Sequence, residues 1–307
     1  MNKTKNSLII KKINQFIIGE KVQGFFVCTQ KVYKISKQGS PYLNIVLSDI
    51  TGKIDGKVWE NVDYFTNKFE VGNPVAIKGI PIEYNGQIQI NILQINYAEP
   101  ILYNKYGFKP ELLIPTISEN PESIYEKIIS ITDKIKMKEL KELCYLVLKN
   151  NKSKIINSPA SLNNHYPIKG GLILHIFNCL QFGLQCLRNF KYINKDLLIT
   201  GLLLHDIGRI KCYSGEFVFT ENDKSKLIGH VILGLEIINN IIIKIPNFKD
   251  DLKIKISHIL LFNSKSNDGG ELNLNFFSEA YITYNIYKIN AKIDAINRKT
   301  IHLDNRI

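Results

Sequence analysis

The sequence predicts a multidomain α+β protein, a small five-stranded β-barrel followed by a bundle made wholly of helices. Over residues 20–98, β-branched and aromatic runs alternate with short turns, with no helical period between them. Pro100, Pro110, Pro115 and Pro121 then break the pattern. Beyond Asn120, apolar residues recur at spacings of three and four, the period of a helix face.

Taken in order, "KVQGFFVCTQKVYKI" and "SPYLNIVLSDI" read as long strands separated by "KQGS". "DITG" and "EYNGQ" are turn sequences, with Gly52 and Gly86 available for positive φ. "NPVAIKGIPIEYNGQIQINILQINY" continues as short strands, enough to close a barrel over residues 15–99. Residues 100–120 read as a linker. Asn120-Pro121-Glu122 opens a helical domain over 121–300 with an N-cap, a proline at the first helical position and an acid in the first turn. Helical stretches are expected over "ESIYEKIISITDKIKMKELKELCYLVLKN" and near 171–190, 195–207, 225–243, 250–263 and 277–298.

The 307 residues suffice for two cores, and 45% hydrophobic with 22% charged residues is ordinary for a globular chain. The apolar runs "LLITGLLL" and "IINNIIIKI" read as too short or interrupted to span a bilayer, and no signal peptide opens the chain. Five scattered cysteines without CxxC spacing argue against a disulfide framework or structural zinc, and for a reducing cytoplasm. A net charge of +12 favours a polyanionic partner, discounted because the Lys, Ile and Asn excess also follows from AT-rich coding. A basic barrel with exposed aromatics suits single-stranded nucleic acid. Tyr42, Trp59 and Tyr84 are candidates for base stacking, and Lys57, Lys34, Lys37 and Lys78 for phosphates. The alternative is that Tyr42 and Trp59 are core or rim residues of the barrel.

Five of the six histidines fall within 165–258. His175 follows the Gly pair of "GGLILH", His205 and Asp206 follow a buried run in "GLLLHDIGR", His230 closes "LIGH", and His258 lies in "IKISHILL". A lone histidine on an apolar face is usually a core residue. Imidazoles and a carboxylate from separate helices, pointing into one bundle, instead form a site for a divalent cation. Such a cation lowers the pKa of a bound water and polarises a phosphoryl oxygen.

"DITGKIDGKVWE" is similar to the strand 2–turn–strand 3 segment of many OB-folds. "HYPIKGGLILH", "LLLHDIGRIK" and "LIGH" resemble the HD-domain metal-dependent phosphohydrolases. Taken together, residues 15–298 resemble the YhaM-type 3′→5′ exoribonucleases, an N-terminal OB-fold joined to a C-terminal HD domain. That resemblance implies metal ligation by His175, His205 and Asp206, with His230 placed for a second metal or the scissile phosphate. It puts Arg209, where the family more often has lysine, against a phosphate or an acid. The implied cofactor is Mn²⁺ or a similar divalent ion (Mg²⁺, Co²⁺). The implied partner is single-stranded RNA or DNA, with no membrane and with homo-oligomerisation left open.

The chain departs from the family pattern in its later parts. Asn263 and Ser264 replace a histidine pair, and the last ligand aspartate falls on Tyr287 and the next on Asn290. The first histidine pair is half kept as His165–Tyr166. Asp294 shares a face with Tyr287 but lies about 10 Å further along the helix, at 1.5 Å per residue. It is either a displaced ligand or an acid paired with Arg298. Three functions follow: a metal-dependent exoribonuclease, a weakened or inactive single-strand binder on an HD scaffold, or a phosphohydrolase of nucleotides.

Overall fold

The computed structural model describes residues 10–262 and 277–304, with side chains described through Arg298. Contacts divide the chain into two units, residues 1–115 with 215–218, and 116–214 with 219–307.

The first unit is a closed barrel of β1 (Val22–Ile35), β2 (Pro41–Asp49), β3 (Gly52–Val58), β4 (Pro74–Tyr84) and β5 (Gln87–Tyr97), in the order β1-β2-β3-β5-β4. Neighbours are antiparallel except β3 and β5, which run parallel and close the barrel. Alternation sets the inside: along β2, Leu43, Ile45 and Leu47 are buried, and they meet Phe26, Val58, Ile77, Ile90 and Ile95 in one core. The β4–β5 hairpin turns at Asn85-Gly86, both at positive φ (51° and 73°), as a type I′ turn requires. In "DITG", Asp49 accepts from the Thr51 amide at 2.7 Å and the Ile13 amide at 2.8 Å. This aspartate is a turn device rather than chemistry. The short helix α1 (Val62–Thr66) follows β3. The segment expected to be a linker is, through Pro115, part of this unit. The helix α2 (Pro100–Tyr103) sets Tyr103 edge-on to Phe25 at 5.7 Å, and Phe108 is buried beside the same ring.

The second unit holds α3 (Pro121–Thr132), α4 (Lys138–Asn157), α5 (Gly171–Asn189), α6 (Lys195–Leu204), α7 (Asp223–Ile242), α8 (Asp250–Phe262) and α9 (Ser278–Asp304). Asn120 caps α3, its side chain accepting from the Glu122 amide at 2.9 Å. The continuous period from Glu122 to Asn150 breaks into α3 and α4 because Asp196 accepts from the Lys136 and Met137 amides and caps a new start there. One core joins these helices, including Ile124, Leu143, Val147, Ile176, Leu203 and Ile259.

The helix α7 is long and apolar enough to cross a membrane by length and composition, its most apolar 18-residue window having a mean hydropathy of 1.3. Its Val231, Ile237, Ile238 and Ile241 face the bundle core, and a core helix passes the same test.

Candidate metal centre and nucleic-acid face

Within the barrel, the four sequence candidates converge. Tyr42 on β2 stacks on Trp59, just past β3, with centroids 4.7 Å apart and planes 25° from parallel. Lys57 Nζ stands 5.5 Å from the Tyr42 ring, 5.7 Å from Trp59 and 5.2 Å from Tyr84. Strand pairing explains the meeting: Leu43 pairs with Val58, one residue from Tyr42 and Trp59, while Lys57 pairs with Asn91 on the β5 side of the hairpin that carries Tyr84. Trp59 and Tyr84 are 44% and 56% exposed, so these rings lie at the barrel surface rather than in its core. Lys34 pairs with Tyr42 across β1–β2 and Lys37 lies in the turn beyond, whereas Lys78 lines a separate groove on the barrel.

In the helical unit, the doublet His205–Asp206 sits at the end of α6, where the chain tightens into a 3₁₀ turn over Ile207–Lys211. Gly208 permits this turn to lie against α7: a Cβ there would stand 1.8 Å from the His230 carbonyl oxygen and 2.5 Å from the Gly234 nitrogen. Gly229, at φ 76°, kinks α7 just before His230. The glycines of "HDIGR" and "LIGH" thus bring His230 to Asp206.

Asp206 is buried and its two oxygens face different groups. Oδ1 lies 3.2 Å from His230 Nε2 and 3.5 Å from Arg209 Nε. Oδ2 has no hydrogen-bond partner, lying 3.7 Å from His165 Nε2 and 3.9 Å from His175 Nε2. His165 Nε2 is likewise buried without a partner. Burial alone would raise the Asp206 carboxyl, but the Arg209 guanidinium and the His165 and His230 rings outweigh it and hold it well below the usual carboxylate range.

The imidazoles form a chain. His205 Nδ1 donates to the Leu202 carbonyl at 2.7 Å, leaving Nε2 as a lone pair. That atom faces His175 Nε2 at 3.1 Å, and His175 Nδ1 faces Asn290 Oδ1 at 2.7 Å. Burial pushes His175 well below its ordinary pKa, helped by the neighbouring His205, and burial lowers His205 also, so both rings are neutral. With His175 Nδ1 donating to Asn290, two lone pairs meet at 3.1 Å beside an unpartnered carboxylate oxygen and an unpartnered imidazole. Donors to one divalent ion, each about 2.1 Å from it, stand about 3–4 Å apart. Two sets bring their ligand atoms within 4.8 Å of one another, His165 with His175 and Asp206, and His175 with His205 and Cys179. The first set holds the orphaned atoms and fits such an ion, and His175 links it to His205.

Two residues lie differently from their expected places. His230, expected among the ligands, is 27% exposed and faces the other oxygen of Asp206. His165, whose pairing was expected to be only half kept, joins the cluster: its ring centroid is 4.7 Å from that of His175. Its position in "HYPIKGG", ten residues before His175, was the available clue. Tyr287 stands where a carboxylate was expected, its ring 5.8, 5.8 and 5.5 Å from those of His165, His175 and His205. Burial pushes its hydroxyl up to about 12, the nearby Asp206 acting the same way and Arg209 opposing both. Asp294 is paired as the second alternative expected: it accepts from the Tyr166 amide at 2.7 Å and Arg298 Nε at 2.9 Å. His258 lies against Phe262 and Phe277, apart from the cluster, while Asn263 and Ser264 lie outside the described residues.

Residues 29–97 match a family model described as tRNA_anti-codon, OB-fold nucleic acid binding domain. The 3′-5′ exoribonuclease YhaM of Listeria welshimeri is 25% identical over 292 residues, covering 95% of this chain and 92% of that protein. The 3′-5′ exoribonuclease YhaM of Shouchella clausii is 26% identical over 298 residues, covering 94% and 89%. Among solved structures, the second OB-fold domain of replication protein A from Methanococcus maripaludis is similar over 30% of this chain and 96% of its own, at 18% identity and a TM-score of 0.26. The chain thus resembles the YhaM-type proteins through both of its units.

Proposed function

We propose that the chain is a 3′→5′ exoribonuclease that hydrolyses phosphodiester bonds of single-stranded RNA with the help of a divalent cation. The curated relatives that match across both units are named for this activity. The observation that carries the cation is the unpartnered, buried pair Asp206 Oδ2 and His165 Nε2, 3.7 Å apart beside the facing His175 and His205 nitrogens. An orphaned buried carboxylate oxygen is costly unless something charged completes it.

His165, His175 and Asp206 would hold the ion, with His205 beside His175, and the ion when bound supplies a Lewis acid for the phosphoryl oxygen and a water of lowered pKa. Mn²⁺ is the favoured identity, with Co²⁺ next, because two imidazoles and one carboxylate suit a borderline ion better than Mg²⁺. Arg209 and His230 hold Oδ1, which keeps Oδ2 turned toward the imidazoles. The Arg209 guanidinium, with Nη1 3.3 Å from the Tyr213 hydroxyl and Nε 3.5 Å from Asp206 Oδ1, supplies the positive charge placed to meet the non-bridging oxygens of the scissile phosphate. His230, partly open to solvent, is the group placed to move a proton to the leaving 3′ oxygen. Tyr42, Trp59 and Tyr84 stack bases while Lys57 offsets phosphate charge. All five thiols are free, which supports a reducing, cytoplasmic location.

The hydrogen-bond chain itself favours a second reading, a single-strand binder without turnover. If the Asn290 amide turns its NH₂ to His175 Nδ1, His175 Nε2 donates to His205 and the chain closes with no ion. One experiment separates the readings. Metal content and Mn²⁺-stimulated release of mononucleotides from single-stranded RNA are measured on one preparation, with Asp206→Asn as control. Stoichiometric metal and release lost in Asp206→Asn support the nuclease. Salt-dependent RNA binding without metal or product, for every divalent ion tried, would establish the binder instead.

A further inference from the structure

On the outer side of the barrel, β1, β4 and β5 present two cross-strand rows. One runs Gln23–Lys78–Gln94 and the other Phe25–Ala76–Asn96, each set by strand register. The small Ala76 leaves a floor between them, and Tyr103, Lys105 and Tyr106 form a wall, enclosing a groove of about 590 Å³. The wall is braced: Phe25 meets Tyr103 edge-on at 5.7 Å, Tyr103 lies 6.0 Å from Tyr106, and Lys105 Nζ sits 5.1 Å from the Tyr106 ring.

The lining has a definite chemistry. It holds two lysines and no carboxylate. Among the described residues, the amides of Gln23, Gln94 and Asn96 and the ammonium of Lys78 form no side-chain hydrogen bond or ion pair. Three free amides offer paired donors and acceptors to a planar edge. A tyrosine face that is 61% exposed offers a stacking surface. Together these features suit an anion that also carries a flat, hydrogen-bonding ring, and the volume suits one small ligand.

We infer that this groove is a nucleotide subsite, separate from the Tyr42–Trp59 platform. Lys78 and Lys105 take the phosphate, Tyr106 takes the base face, and Gln94 with Asn96 reads the base edge. The inference rests on the reading of the barrel as the holder of single-stranded RNA. Lys78 and Tyr84 lie six residues apart on β4, about 20 Å along the strand, so one RNA strand of several nucleotides can reach both places. A free nucleotide carries the same chemistry, and the test distinguishes the two sources.

The full chain is used in EDTA, so that no probe is degraded. Trp59 is the sole tryptophan, and its fluorescence therefore reports the platform alone. Lys78→Glu and Tyr106→Ala alter exposed side chains and leave the core intact. The probes are adenosine 5′-monophosphate and labelled oligoadenylates of roughly four and twelve nucleotides, spanning the range of one OB-fold site. For a strand source, each variant binds the twelve-mer about fivefold or more weakly, while the four-mer still quenches Trp59 with unchanged affinity. For a free-nucleotide source, the variants lose the monophosphate and keep the twelve-mer. If both variants bind every probe within about twofold of the parent and Trp59 still responds, the groove is overturned and the platform stands. If the parent binds no oligomer and no monophosphate, both readings fall.

Discussion

Changing Asn290 to aspartate addresses the one ambiguous joint in the metal centre. His205 has its tautomer fixed, because the Leu202 carbonyl at 2.7 Å can only accept. His175 does not, because an amide can turn either its oxygen or its NH₂ toward Nδ1 at 2.7 Å. One arrangement leaves two lone pairs facing at 3.1 Å and calls for a cation; the other closes the chain without one. A carboxylate only accepts, so Asn290→Asp forces the first arrangement and makes His175 Nε2 more basic. Partners of this kind typically alter metal affinity by about 10–100-fold. Tenfold is about 1.4 kcal/mol. At saturating Mn²⁺ that adds about 3–6 °C to the metal-induced rise in Tm, at about 2–4 °C per kcal/mol for a domain of this size. Asn290 is 7% exposed, so the new charge should also lower the metal-free Tm. The gap between melts with and without Mn²⁺ therefore widens from both ends. Calorimetric titration and paired melts measure it, with Asn290→Ala as control. Equal Mn²⁺ affinity in Asn290→Asp and the parent would refute the tautomer reasoning.

Two further outcomes follow from the same geometry. The fold holds His175 and His205 neutral while the unfolded chain protonates them near pH 6.5, so metal-free stability should fall as pH drops below that value, by up to about 1.4 kcal/mol per pH unit for each ring; urea midpoints unchanged between about pH 7.5 and 5.5 would contradict this. Gly208→Ala places a Cβ 1.8 Å from a backbone oxygen, so it should cost about 3 kcal/mol or more and lower Tm by several degrees, and a melt matching the parent would show that the close approach to α7 is not required.

Much of this architecture was legible because local pattern and tertiary structure agree. The alternation in β2, the Asn85-Gly86 turn and the Asn120 cap each specify their own neighbourhood. The meeting of these aromatic and basic residues was legible for the same reason, since strand register brings Tyr42, Lys57 and Trp59 together once the barrel closes. Long-range partners were not. Nothing local to "SITDKIKM" reveals that Asp196, about sixty residues away, ends one helix and starts another. His165 lies in a loop, outside any helical period, so only the folded chain puts its Nε2 against Asp206. Asn290 looked like a lost ligand, and its contact with His175 Nδ1 appears only when α9 lies beside α5. Asp294 shows the opposite case, where spacing along one helix sufficed to separate it from the site.

The substitution at position 287 changes the charge the centre can carry. Asp206 contributes −1 and Arg209 +1, while His175 and His205 are neutral. A divalent ion makes the set about +2. A phosphodiester linkage, at −1, leaves an excess of positive charge, whereas a released 5′-mononucleotide, at about −1.5 to −2 near neutral pH, cancels it almost fully. With Tyr287 in place, the centre suits the charge of its product better than that of its substrate. Tyr287→Asp reverses that order: the carboxylate, placed among three imidazoles whose rings lie 5.5 to 5.8 Å away, brings the loaded centre to about +1. Mn²⁺ should then bind about tenfold or more tightly, as an added acidic ligand favours a hard cation. Inhibition by added mononucleotide should weaken by a similar factor, because the dianion now meets only one net positive charge. Steady-state inhibition constants for the two proteins at saturating Mn²⁺ measure this directly. A Tyr287→Asp protein that binds Mn²⁺ more tightly yet is inhibited as strongly as the parent would mean that Arg209, rather than the sum of charges, holds the phosphate.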